Sequence, residues 1–225
     1  VSEPGEADPI RWADPAETYD RVASAYADTF VHELDHKPFD RQLLNRFATT
    51  VRPTTSTTAP VWDLGCGPGH VAAFLAELGL DVIGLDLSAG MVAEAGRRYP
   101  SLTFARGDMT SLNLADQGLG GIVCFYALIH IPRTEVPLAL REMFRVLAPA
   151  RPLLLAVHGG HGTLHADEMV GQSADLDVTL FSLTELCELL EQAGLHVVEA
   201  HERAPYEAEH PTPRLYVWAE RPTSA

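Results

Sequence analysis

Lysine is almost missing from this 225-residue chain: of 16 basic residues, Lys37 is the only one that is not arginine. Against them stand 31 acidic residues, for a formal charge of -15. Such an excess repels phosphate backbones and anionic bilayers, and no basic patch overrides it. Neither a nucleic acid nor a membrane surface is therefore expected as a partner. Cysteine is scarce as well. Cys66, Cys124 and Cys187 are odd in number, far apart and form no CxxC pair, so neither a disulfide framework nor a thiolate metal site is expected. Long apolar runs are lacking, since the stretches Ile122–Ile129 and Leu153–Val157 are far too short to span a bilayer. The opening stretch VSEPGEADPIRWADP has no charged-then-apolar signal pattern. These absences predict a soluble, cytoplasmic protein. The 46% of apolar residues is enough for one real core, and the length suits a single domain.

What is present reads as two helices followed by alternating strands and helices, with no internal repeat. From Glu17, the residues Tyr19, Val22, Ala23, Tyr26, Phe30 and Leu34 recur at helical spacing. A second helix is expected from Phe39 to Val51, then a Thr/Pro loop, RPTTSTTAP. Strands are expected at 61–64, 81–85, 102–105, 121–127 and 153–157, with helices at 71–78, after Ser88, and through Val136–Leu147. The segment His158–Phe181 shows no strong period. Ser182 and Glu185 form a capping box for a helix that stops at Gly194, and two strands, 196–201 and 214–220, close the chain. Strand–helix alternation predicts a three-layer α/β fold, Rossmann-like, around a mostly parallel seven-stranded sheet.

The sharpest chemical signal is Asp63-Leu-Gly65-Cys66-Gly67-Pro-Gly69, where a strand ends and a helix begins. Glycine there permits a tight turn and close approach of a ligand to the backbone. Asp86 follows Gly65 by 21 residues, at the end of the next strand, where a carboxylate can accept both hydroxyls of a ribose. A dinucleotide fingerprint would read G-x-G-x-x-G; this turn reads G-x-G-x-G after a strand-end aspartate. Asp63 would sit badly beside a pyrophosphate and suits a ligand with a cationic end.

With these residues in view, the chain resembles the class I S-adenosylmethionine (SAM)-dependent methyltransferases. The stretch VWDLGCGPGHVAAFLAELGLDVIGLDLSAGMVAEA is similar to that family's first two motifs, Gly107-Asp108-Met109 to its third, and CFYALIHIP with LREMFRVLAP to the fourth strand and the helix after it. The likeness covers roughly residues 15–160. It implies that Gly65 and Gly67 line the methionine part of SAM with Asp63 nearby, ordering the turn, and that Cys66 and Gly69 belong to the same cofactor-binding turn. It implies that Asp86 holds the ribose, Leu87 and Met91 flank the adenine, Asp108 accepts from the adenine amino group beside Met109, and Phe125 lies near the sulfonium. Tyr19 and Tyr26 match a YDxVAxxYA pattern that closes over the cofactor, with plain core packing as the alternative. One departure is Ala148-Pro149-Ala150-Arg151-Pro152, where many relatives have a Pro-Gly-Gly turn.

Under this resemblance residues 1–15 are a loose arm, 16–59 a helical lid and linker, and 60–225 the SAM-binding α/β domain, with a substrate-cap segment near 158–181. His130 and His158 are the candidate bases, should the acceptor be a hydroxyl. For His130 the alternative is a structural hydrogen bond to a neighbouring loop. The triplet His158, His161, His165 is poorly spaced for a metal because glycines interrupt it, and no metal is expected. The implied function is methyl transfer to a small-molecule acceptor, matched to secondary metabolism by fold analogy alone. A non-methylating SAM-binding protein, a cyclase on the same fold and an NAD(P)-dependent oxidoreductase are the alternatives. A homodimer is one assembly the sequence allows.

Overall fold

The computed structural model describes residues 12–52 and 59–223. Most of the expected N-terminal arm and the centre of the Thr/Pro loop lie outside the described residues. Asp14 caps the first helix, its carboxylate accepting from the Ala16 N–H at 2.9 Å, so helix α1 (Pro15–Phe30) begins one residue inside the segment expected to be a loose arm.

After α1 come α2 (Pro38–Val51), β1 (Val61–Leu64), α3 (His70–Glu77), β2 (Val82–Asp86), α4 (Ala89–Arg98), β3 (Thr103–Arg106) and β4 (Gly121–Phe125). The chain continues through α5 (Val136–Val146), β5 (Pro152–His158), β6 (Thr163–Met169), β7 (Gln172–Thr179), α6 (Leu183–Gln192), β8 (His196–Arg203) and β9 (Arg214–Glu220). The main sheet has seven strands in the order β3-β2-β1-β4-β5-β9-β8. Its first five strands are parallel, and β9 runs antiparallel between β5 and β8. The strand order reverses between β1 and β4, which is where an open α/β sheet leaves a crevice at its carboxyl edge.

Both faces of the sheet are covered. Leu64, Ile122, Cys124, Leu153 and Leu155 pack against Leu140 and Met143 of α5 and Leu186 and Leu190 of α6. Their strand neighbours Val61, Val123, Leu154 and Trp218 meet Leu44 and Phe47 of α2 and Leu75 of α3 on the other face. Every residue of β4 is buried, as a continuous apolar strand requires.

This packing corrects the expected division at 59/60. Helix α2 shares the core of the sheet, so only α1 and the short turn after it remain as a candidate lid. Two further findings concern the last third. The segment 158–181, which shows no strong period in the sequence and is expected as a substrate cap, holds the β6–β7 hairpin, a separate two-stranded sheet. Its tight turn is Val170-Gly171, both with positive φ (46° and 73°), the geometry that asparagine-glycine usually signals. The capping box is half made: Ser182 Oγ accepts from the Glu185 N–H at 3.2 Å, but the Glu185 carboxylate pairs with Arg133 rather than reaching back.

The hairpin folds over the carboxyl edge and is clamped to α1. Thr18 Oγ1 donates to the Asp175 carbonyl at 3.0 Å, and the Asp175 N–H returns a bond at 3.2 Å.

Candidate active site

A cavity of about 1190 Å³ opens at the carboxyl edge, walled by the glycine turn, α1, the β6–β7 hairpin and the loop between β8 and β9. Among the predicted residues, Asp63, Gly65, Cys66, Gly67, Asp86, Leu87, Met91, Asp108, Met109, Phe125, Tyr19, Tyr26, His130 and His158 all line it. Gly69 does not line it; with φ 85° it forms the N-cap of α3 beneath the turn.

The turn is built so that backbone and ligand can meet closely. Gly65 has φ 73°, and a side chain there would drive its Cβ to within 2.0 Å of Ala127 Cβ. Gly67 has φ 50° with nothing within 4 Å of the place a Cβ would take, so its open side is room for a ligand. Asp86 fixes the turn from β2: its Oδ2 accepts from the Gly67 N–H at 2.8 Å and its Oδ1 from the Ser88 N–H at 2.9 Å. Burial raises its pKa and those two N–H bonds oppose the rise. Each carboxylate oxygen keeps a further acceptor site.

Asp63, at the end of β1, is 1% exposed, and its Oδ2 has no hydrogen-bond partner among the described residues. Burial pushes its carboxyl up to about 7. The Ala72 N–H and nearby His70 oppose that rise, and a buried carboxylate oxygen left without a partner beside a cavity is stabilised by a cation. Cys66 contributes its backbone, whose N–H donates to the Leu85 carbonyl at 3.0 Å. Its sulfur packs against Gly84 of β2, where a Cβ would come within 2.9 Å, and burial raises the thiol pKa well above the usual range. Leu87 is 37% exposed at the cavity rim while Met91 is fully buried, leaving an apolar slot between them. Asp108 Oδ1 accepts from both the N–H and the hydroxyl of Thr110, at 2.8 and 2.7 Å, which leaves Oδ2 for a ligand donor.

Helix α1 reaches the site through polar contacts. Asp20 accepts from Ser88 Oγ at 2.5 Å and from the Gly90 N–H at 2.8 Å, so α1 is pinned to the first turn of α4 beside Asp86. Tyr26 stacks edge-on to Tyr19, with ring centroids 5.6 Å apart. The Tyr19 hydroxyl meets His130 Nε2 at 2.7 Å, and His130 Nδ1 lies 3.3 Å from the Asp177 carbonyl. A carbonyl only accepts, so Nδ1 carries the ring proton and Nε2 receives the tyrosine proton. Burial lowers the His130 pKa to about 4 and keeps the Tyr19 phenol protonated.

His158 is held at the cavity wall through Thr212. Thr212 Oγ1 accepts from Arg214 Nη1 at 2.9 Å and lies 2.7 Å from His158 Nδ1 and 3.4 Å from His210 Nδ1. Burial, with Arg214 nearby, lowers the His158 pKa to about 3. The three histidines of the glycine-rich segment do not converge: His165 pairs with Asp177 on the hairpin, and no group of metal-ligating side chains forms among the described residues.

The sequence reading missed a polar network at the far end of the cavity. Buried Asp40 of α2 accepts from Tyr216 at 2.6 Å, Arg203 at 3.1 Å and Tyr126 at 3.2 Å. Glu209 forks onto Arg203 at 2.6 and 2.9 Å. Glu33 joins Lys37 at 2.7 Å to His70 at 2.9 Å. Tyr126, with φ 56°, leaves β4 in the left-handed region that non-glycine residues avoid, and this turns its ring into the network. These residues are spread along the chain from Glu33 to Tyr216, and only the Glu33–Lys37 pair has a local, i,i+4 spacing.

Residues 61–150 match the family model described as "Methyltransferase domain". A demethylmenaquinone methyltransferase of Beutenbergia cavernae is 40% identical over 96 residues, 43% of this chain and 39% of that protein. A malonyl-[acyl-carrier protein] O-methyltransferase of Enterobacter lignolyticus is 28% identical over 148 residues, 66% of this chain and 55% of that protein. The chain thus spans between about two fifths and little over half of the length of these curated relatives. Among solved structures, a SAM-dependent methyltransferase from Methanosarcina mazei superposes with a TM-score of 0.66 at 19% identity, covering 74% of this chain and 94% of that one.

Proposed function

We propose that this chain, whose residues 61–150 match a methyltransferase-domain family model, is a class I SAM-dependent methyltransferase that binds SAM and transfers its methyl group to a small-molecule acceptor. The observation that supports this best is the pairing of an open glycine turn with the partnerless Oδ2 of buried Asp63 and an acceptor Asp86 in one cavity. The donor set fits the cofactor. Asp63 would meet its ammonium group, Asp86 its ribose hydroxyls, Leu87 and Met91 its adenine faces, and Asp108 Oδ2 the adenine amino group. When bound, SAM supplies a methyl group already activated on a sulfonium.

What remains for the protein is to orient the acceptor, exclude water and manage one proton. The hairpin and α1 close the cavity from above. For a hydroxyl acceptor, its proton would pass to the Tyr19 oxygen as the Tyr19 proton moves to His130 Nε2. The Asp177 carbonyl keeps Nδ1 protonated and so holds Nε2 ready as the acceptor. His130 thus acts through Tyr19, and Tyr19 is the group that faces the acceptor. The acidic surface and the size of the cavity support a small acceptor over a macromolecule. Incubation with methyl-labelled SAM and mass-spectrometric identification of a labelled small product tests the proposal. Tight SAM binding with no labelled product from any cell extract would instead favour a protein that binds SAM without transferring methyl.

A further inference from the structure

The carboxyl end of the β5–β9–β8 edge carries a row of basic side chains. His158, Arg214 and Arg203 stand directly opposite one another in register, so all three project from one face of the sheet. Lys37 approaches from the turn before α2, its ammonium 4.9 Å from the centroid of the Tyr126 ring. Like charges this close destabilise a sheet unless carboxylates separate them.

Three carboxylates are at hand, and they are shared unequally. Arg203 takes Asp40 and both oxygens of Glu209. Lys37 takes Glu33 at 2.7 Å. Arg214 receives none at hydrogen-bond distance. Its side chain is 4% exposed, and its nearest carboxylate oxygen, Glu209 Oε1, stands 3.6 Å from Nε. Nη1 donates only to neutral oxygens: the Thr212 carbonyl at 2.6 Å, Thr212 Oγ1 at 2.9 Å and the His210 carbonyl at 3.2 Å. Among the described residues, Nε and Nη2 have no acceptor in range. Arg214 nevertheless lines the cavity, as do His158, Tyr126 and Lys37. Glu209 is unable to turn toward it freely, because the Tyr206 N–H holds the carboxylate at 2.7 Å as well as Arg203.

A guanidinium whose free donors open onto a cavity, with its one ion-pair partner at 3.6 Å, is a ready anion site, and the planar group that satisfies two parallel N–H donors is a carboxylate. We propose that Arg214, with the His158 imidazole beside it, binds a carboxylate of the methyl acceptor, and that the acceptor is a small carboxylic acid. The inference rests on the methyltransferase reading above and adds the substrate class. Tyr126, its ring 5.4 Å from that of His158 and 5.7 Å from the Arg214 guanidinium, forms the apolar wall on which the body of such an acid would lie.

The test uses the full chain saturated with S-adenosylhomocysteine and a panel of small carboxylic acids, each paired with its own carboxamide. Binding is ranked by thermal shift and measured by calorimetry for wild type, Arg214→Met and Arg214→Lys. Acids should outbind their amides by about tenfold or more in wild type, as a charge-assisted pair implies. The gap should close in Arg214→Met, with the lysine variant between, while S-adenosylhomocysteine affinity stays within about threefold. A panel in which no acid outbinds its amide overturns the proposal. So does a large loss of S-adenosylhomocysteine affinity in Arg214→Met, because Arg214 would then serve the carboxylate of the cofactor itself. Should Arg214→Met fail to fold, the wild-type comparison and the lysine variant decide. Failure of wild type to bind S-adenosylhomocysteine at all would strike the methyltransferase reading, whatever the acids do.

Discussion

The Tyr19 hydroxyl donates to His130 Nε2 at 2.7 Å, joining the first helix of the chain to the turn that follows the fourth strand. The contact is local to neither segment and is completed by a third, the hairpin carbonyl of Asp177. Under the proposed mechanism it would give the candidate lid a chemical role as well as a covering one. Tyr19→Phe keeps the ring and removes the hydroxyl. Methyl transfer to a hydroxyl acceptor should fall by about 10²-fold or more, the usual scale for a lost acid–base group. Affinity for S-adenosylhomocysteine should change by less than about threefold. Single-turnover rates and calorimetry check the two halves separately, and an unchanged rate would return Tyr19 to core packing.

Stability should fall in mild acid through the buried histidines. His130 titrates near 6.5 when unfolded and at about 4 when folded. The unfolded state therefore takes up its proton first as pH falls, so the stability His130 gives is present above 6.5 and is lost between about 6.5 and 4. His158 acts in the same direction, with a folded value of about 3. Asp63 opposes them, because its folded pKa of about 7 makes protonation favour the fold over the same window. Comparing a variant with wild type isolates one group. His130→Asn should lose about 2 kcal/mol less stability than wild type between pH 6.5 and pH 5, read from urea unfolding. Parallel losses in the two proteins would contradict a buried neutral His130.

Asp63 makes cofactor binding a proton-linked event. With the carboxyl at about 7, the unliganded site is about half protonated at neutral pH. An ammonium group placed against it favours the ionised form, so binding should release about half a proton at pH 7 and strengthen from pH 6 to pH 8. Calorimetry in buffers of different ionisation enthalpy measures that proton directly. Asp63→Asn should abolish the release, and a release that persists in the variant would assign the proton elsewhere.

The lid assignment makes its own prediction. Asp20 ties α1 to Ser88 and Gly90 at the start of α4, next to the carboxylate expected to hold the ribose. Ligand binding there should slow amide exchange along 15–30. Tyr26→Phe, which keeps the packing against Tyr19 and Phe30, should weaken cofactor binding modestly without lowering the melting temperature by more than a few degrees. Exchange that ignores the ligand would leave α1 as scaffold.

The parts of the fold that were legible are those that local physics dictates. Val61–Leu64 and Gly121–Phe125 read as strands because buried parallel strands are continuously apolar. Ser88 and Ser182 were readable as caps because an N-cap needs a short acceptor side chain. The glycine turn and Asp86 stand out because close backbone approach tolerates few residues. The hairpin was hidden because most of β6 faces solvent and its turn carries valine where asparagine would signal it. α2 was misassigned to the lid because an amphipathic stripe does not name the surface it will cover. Asp40, Arg203, Glu209 and Arg214 gave no signal at all. Their pairing depends on β8 and β9 returning to the crevice some 160 residues after α2, as the Arg203–Asp40 separation of 163 residues shows.

One calorimetric experiment bears most directly on the central claim: titration of S-adenosylhomocysteine and of NAD(H) into wild type and Asp86→Ala. The account predicts saturable binding of S-adenosylhomocysteine, none of NAD(H), and a loss of about 1–3 kcal/mol in the variant, as expected when ribose hydroxyls lose a charged acceptor. Part of the loss would come from the Gly67 and Ser88 N–H groups that Asp86 also holds. NAD(H) binding with no response to S-adenosylhomocysteine would contradict the account, and an unchanged affinity in Asp86→Ala would remove Asp86 from the cofactor site.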